Sequence, residues 1–292
     1  MDTPWQHTTV LLSEAVDALD LQPDGTYVDA TFGRGGHTRL MLSQLSDKGR
    51  VIAFDKDPEA IAVAQQIQDP RLSIRHEGFA HLGDLPPASV DGVLMDLGIS
   101  SPQVDNPARG FSFRHDGPLD MRMNPQKGQS AAQLLASISK EQLADLLHEN
   151  ADELHAAQIA QRIHTHQRQT PLKTTRSLAQ VVREALPSRL SPEDVDATVR
   201  RVFQAVRIAV NEEFGALDSL LRAIPNSLKS SGRVAMLTFH SGEDRRVKRA
   251  FQEGHRAGIY REISSDVLRA SPEEQRANPR SSPAKLRWAV KA

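Results

Sequence analysis

Residues 27–37, Tyr-Val-Asp-Ala-Thr-Phe-Gly-Arg-Gly-Gly-His, constrain the fold more than any other part of this 292-residue chain. Val28 and its neighbours read as a buried strand, and the strand ends on a carboxylate, Asp29. Glycine then fills three of the four positions 33–36, and Leu40, Met41 and Leu45 recur at helical spacing. A strand, a turn stripped of side chains and a helix let a ligand touch the backbone, which makes a nucleotide-type pocket. The spacing narrows the ligand. Counted from Gly33, the third position is Gly35 but the sixth is Thr38, so the dinucleotide fingerprint is incomplete. No Gly-Lys-Ser/Thr phosphate loop occurs. A glycine turn with a purely structural job is the plainer alternative.

At 39% hydrophobic and 25% charged residues, the composition is that of an ordinary soluble globular protein. No apolar run approaches the roughly 18 residues that a membrane span needs. The N-terminal residues lack a basic-then-apolar signal pattern, so the expected location is the cytosol. Cysteine is absent, which removes disulfides, thiolate metal sites and cysteine nucleophiles. Methylation of a pyrimidine ring carbon through a cysteine adduct is excluded with them, as is a zinc deaminase with cysteine ligands. The 11 histidines form no zinc pattern, and no metal is expected. The net charge is −1, but residues 245–292 hold 12 Lys/Arg against 5 Asp/Glu. A basic C-terminal part on a near-neutral chain fits local contact with phosphates, with a solvated charged surface as the alternative.

The rest of the chain alternates. A first helix is expected over Val10, Leu11, Leu12, Ala15, Val16 and Leu19, with His7 just before it. Residues 50–54 form a second strand ending at Asp55, and Asp57-Pro58 opens a helix by capping it and placing proline at its first position. Asp55 lies 22 residues after Gly33, where an acidic residue is placed to accept hydrogen bonds from both ribose hydroxyls. Residues 72–75 give a third strand; Phe79 follows it, where an aromatic ring can pack on an adenine face. Residues 92–95 give a fourth, ending at Asp96. Strands alternating with helices imply a parallel sheet with ligands at the carboxyl ends of the strands, so Asp29, Asp55 and Asp96 should share one rim. About 30 aperiodic residues follow Asp96, long for a compact domain unless functional. Ser139 and Gln142 make a capping box, and Leu178, Val181, Val182, Ala185 and Leu186 share a helix face. Residues 129–190 show no strand and read as an all-helical insertion. Ser191-Pro192 opens another helix, residues 202–224 form a long one, and a Ser231-Gly232 turn leads to strands over 233–239 and 286–290.

An acidic strand end before Gly-x-Gly-Gly is similar to the first motif of S-adenosylmethionine-dependent methyltransferases. Five further stretches extend the likeness: Asp96-Leu97-Gly98-Ile99-Ser100-Ser101-Pro102-Gln103; Arg109-Gly110-Phe111-Ser112-Phe113 with residues 116–123; Phe203-Gln204-Ala205-Val206-Arg207-Ile208; Phe239-His240-Ser241 with Glu243-Asp244-Arg245; and Asn278-Pro279-Arg280-Ser281. Together, in order from His7 almost to the C-terminus, the sequence resembles the bacterial ribosomal RNA small subunit methyltransferase H family. The resemblance implies an α/β fold: a Rossmann-like class I methyltransferase domain with a mostly parallel sheet over 1–125 and 202–292, and an inserted helical domain over 126–201 for substrate recognition. It implies S-adenosyl-L-methionine as cofactor and, as substrate, the exocyclic N4 amine of a cytidine in the decoding region of 16S ribosomal RNA. Gly35, Gly36 and His37 would hold the methionine part, Asp55 the ribose and Phe79 the adenine side. Asp96 and Gln103 would line the site near the sulfonium, with Asp96 the candidate catalytic group.

For substrate, Phe111 or Phe113 is a candidate to stack on an unstacked base, and His240 to contact it. The alternatives are a turn anchor for Asp96, core packing for the two phenylalanines and a helix-start position for His240. The chain departs from the usual pattern at 150–154, where a Gly-Glu-Glu run is expected. It departs again at Asp196 and at Gly242, which stands where leucine is usual. Rival functions are methylation of another amine-bearing substrate and a non-catalytic ribosome-assembly factor that retains the fold. The small ribosomal subunit is the expected partner, and a homodimer is left open.

Overall fold

The computed structural model describes residues 8–292; His7 lies outside them. In chain order the elements are α1 (Leu12–Asp17), β1 (Thr26–Asp29), α2 (Gly36–Gln44), β2 (Arg50–Phe54), α3 (Pro58–Ala64), β3 (Leu72–Arg75), β4 (Val90–Asp96), α4 (Ser101–Asp105), α5 (Ala131–Ser137), α6 (Lys140–Ala151), α7 (Ala156–Gln167), α8 (Thr175–Ala185), α9 (Pro192–Asn211), α10 (Glu213–Ser227), β5 (Leu228–Thr238), α11 (Ser241–Arg256), β6 (Tyr260–Ile263), α12 (Pro272–Ala277) and β7 (Lys285–Lys291). They divide into two compact units, one of residues up to Gly98 with Phe214–Ala292 and one of Ile99–Glu213. Among the described residues no helix is long and apolar enough to cross a membrane.

The first unit is an α/β domain around a seven-stranded sheet of order β3-β2-β1-β4-β5-β7-β6. Strands β1 to β5 are parallel, and β7 runs antiparallel to both β5 and β6. This is the mostly parallel, Rossmann-like class I methyltransferase architecture. Successive side chains on a strand point to opposite faces, and here both faces are buried. Val28, Val93, Met95, Val234 and Met236 pack on one side with Leu217 and Leu220 of α10 and Val247 and Phe251 of α11. Tyr27, Leu94, Ala235 and Leu237 pack on the other with Ala15 and Val16 of α1 and Met41 and Leu42 of α2. Burial on both faces is why these strands read as near-continuous apolar runs. The strand order reverses between β1 and β4, which opens a crevice at the carboxyl ends of the strands.

The second unit is helical, and its core joins Leu143, Leu147, Ile159, Ile163, Leu178, Val182, Val199 and Val206. Phe111, Leu119 and Met121 from the aperiodic stretch belong to the same core. The unit therefore runs 99–213, wider than the 126–201 expected, because these apolar residues anchor the stretch without any helical spacing.

Three further differences have local causes. The expected helix over 202–224 is two helices: α9 continues unbroken from Pro192 to Asn211, and Glu212 adopts a left-handed φ of 52°. Asn211 secures the break by accepting from the Met123 N–H at 2.8 Å and donating to the Met121 carbonyl at 2.8 Å. The expected turn at Ser231-Gly232 lies inside β5, which starts at Leu228; Ser231 takes φ 65°, and the register against β4 shifts between Val90 and Gly92. Strand β6, not expected, is four residues long without alternation and, among the described residues, pairs only with β7.

Candidate active site

The glycine turn begins where β1 ends. Asp29 is fully buried, and its carboxylate accepts from the Thr38 hydroxyl at 2.6 Å and the Thr31 N–H at 3.2 Å. It is a brace between the end of β1 and the start of α2 rather than an open ligand. Burial pushes its pKa up to about 6; the hydrogen bonds from Thr38 and Thr31 oppose that rise, and Asp55 adds to it. The Thr31 hydroxyl accepts from the Asp96 N–H at 2.7 Å, tying the ends of β1 and β4 together. Gly35, at the N-cap of α2, takes φ 75°, and a Cβ there would lie 2.6 Å from the Phe32 ring. With no side chain at the cap, the start of α2 presents backbone at the rim, and the N-terminal end of a helix favours an anionic group such as a carboxylate.

Asp55 stands just past β2. Its carboxylate accepts from the Gly33 N–H at 2.8 Å and the Asp57 N–H at 2.8 Å, which pins the turn to the next strand. Burial raises its pKa against those hydrogen bonds. A carboxylate offers about four lone-pair positions, so acceptor capacity remains for a hydroxyl. Asp57 caps α3 through the Glu59 N–H at 2.9 Å, with proline at the first position as expected. Phe79 opens a 3-10 turn after β3 and packs, half-buried, at the edge of the core.

Asp96 ends β4 on the same rim. Its side chain is 22% exposed, and the nearest basic atom is His37 Nδ1 at 4.0 Å. Among the described residues nothing donates a hydrogen bond to its carboxyl group. Loss of solvation, then the neighbouring carboxylates Asp29 and Glu243, push its pKa up to about 8. Glu243 comes from the first turn of α11 and is 3% exposed. It accepts from the Phe239 N–H at 2.8 Å, and its other oxygen is 3.0 Å from His240 Nε2 without hydrogen-bond alignment. The rim thus gathers carboxylates, with Asp29 and Glu243 both raising the pKa of Asp96, a setting that favours a cationic ligand. In sequence, Glu243 carries no signal beyond its place in the Phe-His-Ser stretch. His240 occupies the N-cap position of α11, its ring 5.8 Å from that of Phe214. A Cβ at Gly242 would lie 2.7 Å from Phe214 Cζ, so the phenylalanine fills space that a side chain at 242 would need.

The other candidates lie in the helical unit. Gln103 is buried, and its amide oxygen accepts from the Ser100 N–H at 3.0 Å in the capping box of α4. Phe111 is 7% exposed within the helical core, with the Arg109 guanidinium 5.8 Å from its ring. Phe113 meets Phe203 edge-on at 5.2 Å and lies under Arg183 at 5.6 Å. Both rings take part in packing, Phe111 buried and Phe113 half-buried. Where the usual pattern is altered, Glu153 is completely buried and paired with Arg201 at 2.6 Å, and Asp196 pairs with Arg183 at 3.1 Å. Among the described residues no group of three or more His, Cys, Asp and Glu residues is arranged to hold a metal ion.

A model of the MraW methylase family matches residues 4–292. The ribosomal RNA small subunit methyltransferase H of Polaromonas naphthalenivorans (strain CJ2) is 49% identical over 298 residues, covering 98% of this chain and 96% of that protein. The protein of the same name from Variovorax paradoxus (strain S110) is 48% identical over 305 residues, with 99% and 98% covered. That from Acidovorax sp. (strain JS42) is 50% identical over 264 residues, with 89% and 84% covered. With its glycine turn, its rim of carboxylates and this match along nearly its whole length, the chain belongs to the MraW methylase family.

Proposed function

We propose that this chain transfers a methyl group from S-adenosyl-L-methionine to the exocyclic N4 amine of a cytidine in the decoding region of 16S ribosomal RNA. The observation that carries the reading is Asp96, a partly exposed carboxyl group without a hydrogen-bond donor, at the carboxyl end of the strand beside the glycine turn. The residues fit the cofactor: the turn brings backbone to the rim without side chains, with Gly35 at φ 75° on the N-cap of α2, and the carboxylates suit a cation. When bound, the cofactor supplies an electrophilic methyl group on a positively charged sulfur.

In this reading Gly35, Gly36 and His37 hold the methionine part through the first turn of α2. Asp55 takes ribose hydroxyls with its remaining acceptor capacity, and Phe79 borders the adenine. The role of Gln103 rests on the family resemblance alone. The cytosine amine is a poor nucleophile because its lone pair is delocalised into the ring. Holding that nitrogen in line with the methyl group removes orientational freedom, worth about 7–11 kcal/mol in the best intramolecular cases. As the nitrogen–carbon bond forms and the carbon–sulfur bond breaks, positive charge builds on the nitrogen. Asp96 accepts a hydrogen bond from an amine proton and stabilises that charge in a site of low polarity. In this reading His240, beside Glu243 on the same unit, contacts the substrate.

The small ribosomal subunit is the proposed partner and the cytoplasm the proposed location. Incubation of the protein with methyl-labelled cofactor and either purified small subunits or free 16S RNA tests this. Label recovered as N4-methylcytidine is expected; label on no RNA refutes it. Light scattering on the same preparation decides between monomer and homodimer.

A further inference from the structure

Helices α10 and α11 pack side by side on one face of the sheet. A groove of about 610 Å3 runs along them, and its charged lining is Arg222, Arg245, Arg246 and Arg249 with Asp218 and Glu253. Arg246 is fixed in place: its Nε is 3.5 Å from Asp218, and its guanidinium lies 3.7 Å from the centre of the Phe214 ring. Arg222 and Arg249 are exposed, and among the described residues neither has a carboxylate within ion-pair distance; Arg222 reaches only the Ser219 hydroxyl at 3.2 Å. Three cations near the C-terminus are spent on the fold. Lys285 and Arg287 clamp Asp244 at 3.0 and 2.8 Å, and Lys291 caps the Leu228 carbonyl at 2.6 Å. Arg222 and Arg249 thus line the groove without a carboxylate partner among the described residues.

The groove is also aimed. Helix α11 starts directly after His240, on the rim that carries Asp96, and Phe214, beside His240, supports the Arg246 guanidinium that lines the nearer part of the groove. Arg245 and Arg249 are four residues apart on α11, so they stand one turn, about 6 Å, apart along the axis. A strand whose target base reaches the rim has its flanking phosphates within reach of this row.

We propose that the α10–α11 groove binds the phosphate backbone of the RNA strand next to the target cytidine. The inference rests on the RNA-methylation reading. Guanidinium groups match phosphate oxygens in paired hydrogen bonds, and such contacts set position and register without reading sequence. The probe is a fluorescein-labelled hairpin of the 16S decoding region, its affinity followed by anisotropy across a salt series, for the wild type, Arg222→Ala/Arg249→Ala and Glu253→Gln.

The double variant is expected to bind at least tenfold more weakly, with the slope of log affinity against log salt reduced by about 1 for each arginine removed. Its S-adenosylmethionine affinity should match the wild type, which reports an intact fold. Glu253→Gln removes a negative charge from the groove and should tighten RNA binding. Unchanged affinity and slope in the double variant, or unchanged affinity in Glu253→Gln, overturns the groove while methyl transfer by the wild type stands. A wild type that neither binds nor methylates RNA overturns both readings.

Discussion

Asp96→Asn should make the free protein more stable while abolishing its activity. The wild-type carboxyl ordinarily titrates near 3.8 and is pushed up to about 8 in the fold. Between those values the folded state binds more protons than the unfolded one, so stability falls as pH rises through that window. Each pH unit of the window corresponds to about 1.36 kcal/mol, which sets a ceiling of about 6 kcal/mol above pH 8. The carboxyl is 22% exposed, so water recovers part of that; about 2–3 kcal/mol is the working expectation after discounting for solvation. For a domain of this size that is a rise in melting temperature of about 5–10 °C. Asparagine keeps the shape of the protonated acid and removes the ionisation. Thermal unfolding without cofactor, from pH 4 to pH 9, should show almost no difference at pH 4. The gap should then widen with pH and level off above about pH 8. A variant less stable than the wild type at pH 9, or a gap independent of pH, refutes the electrostatic account of this rim.

Gly35→Ala forces a left-handed φ on a residue with a Cβ and drives that carbon to 2.6 Å from Phe32; a loss of about 1–3 kcal/mol in urea unfolding is expected, with cofactor binding lost in calorimetry. Arg201→Ala strands the fully buried Glu153 carboxylate and should cost about 3 kcal/mol, partly restored by adding Glu153→Gln. Phe111→Ala should cost about 3–5 kcal/mol, because the ring fills the helical core; an unchanged stability with a raised KM for RNA would instead support the base-stacking role.

What the sequence made legible follows the physics of parallel strands. Buried on both faces, they appear as apolar runs, and a carboxylate closing such a run is visible as a rim residue. Asp55 and Asp96 were found that way, and Asp57-Pro58 marked α3 by its capping chemistry. Asp29 looked the same in sequence, but the Thr38 hydroxyl turns it inward, a contact between side chains that spacing does not reveal. The break at Glu212 carries neither glycine nor proline; hydrogen bonds from Asn211 to a distant loop create it. Phe111, Leu119 and Met121 enter the helical core from a stretch without periodicity, so the width of that unit was hidden. Glu243 perturbs Asp96 from the first turn of α11, just past the neighbouring strand β5, and only the fold brings the two together.

The most direct test of the rim as a sulfonium site is proton release on cofactor binding. A cation bound beside Asp96 favours its ionised form, so calorimetry at pH 7 in buffers of different ionisation enthalpy should count roughly 0.5–1 proton released by the wild type and none by Asp96→Asn. Binding with no proton released by the wild type contradicts the account.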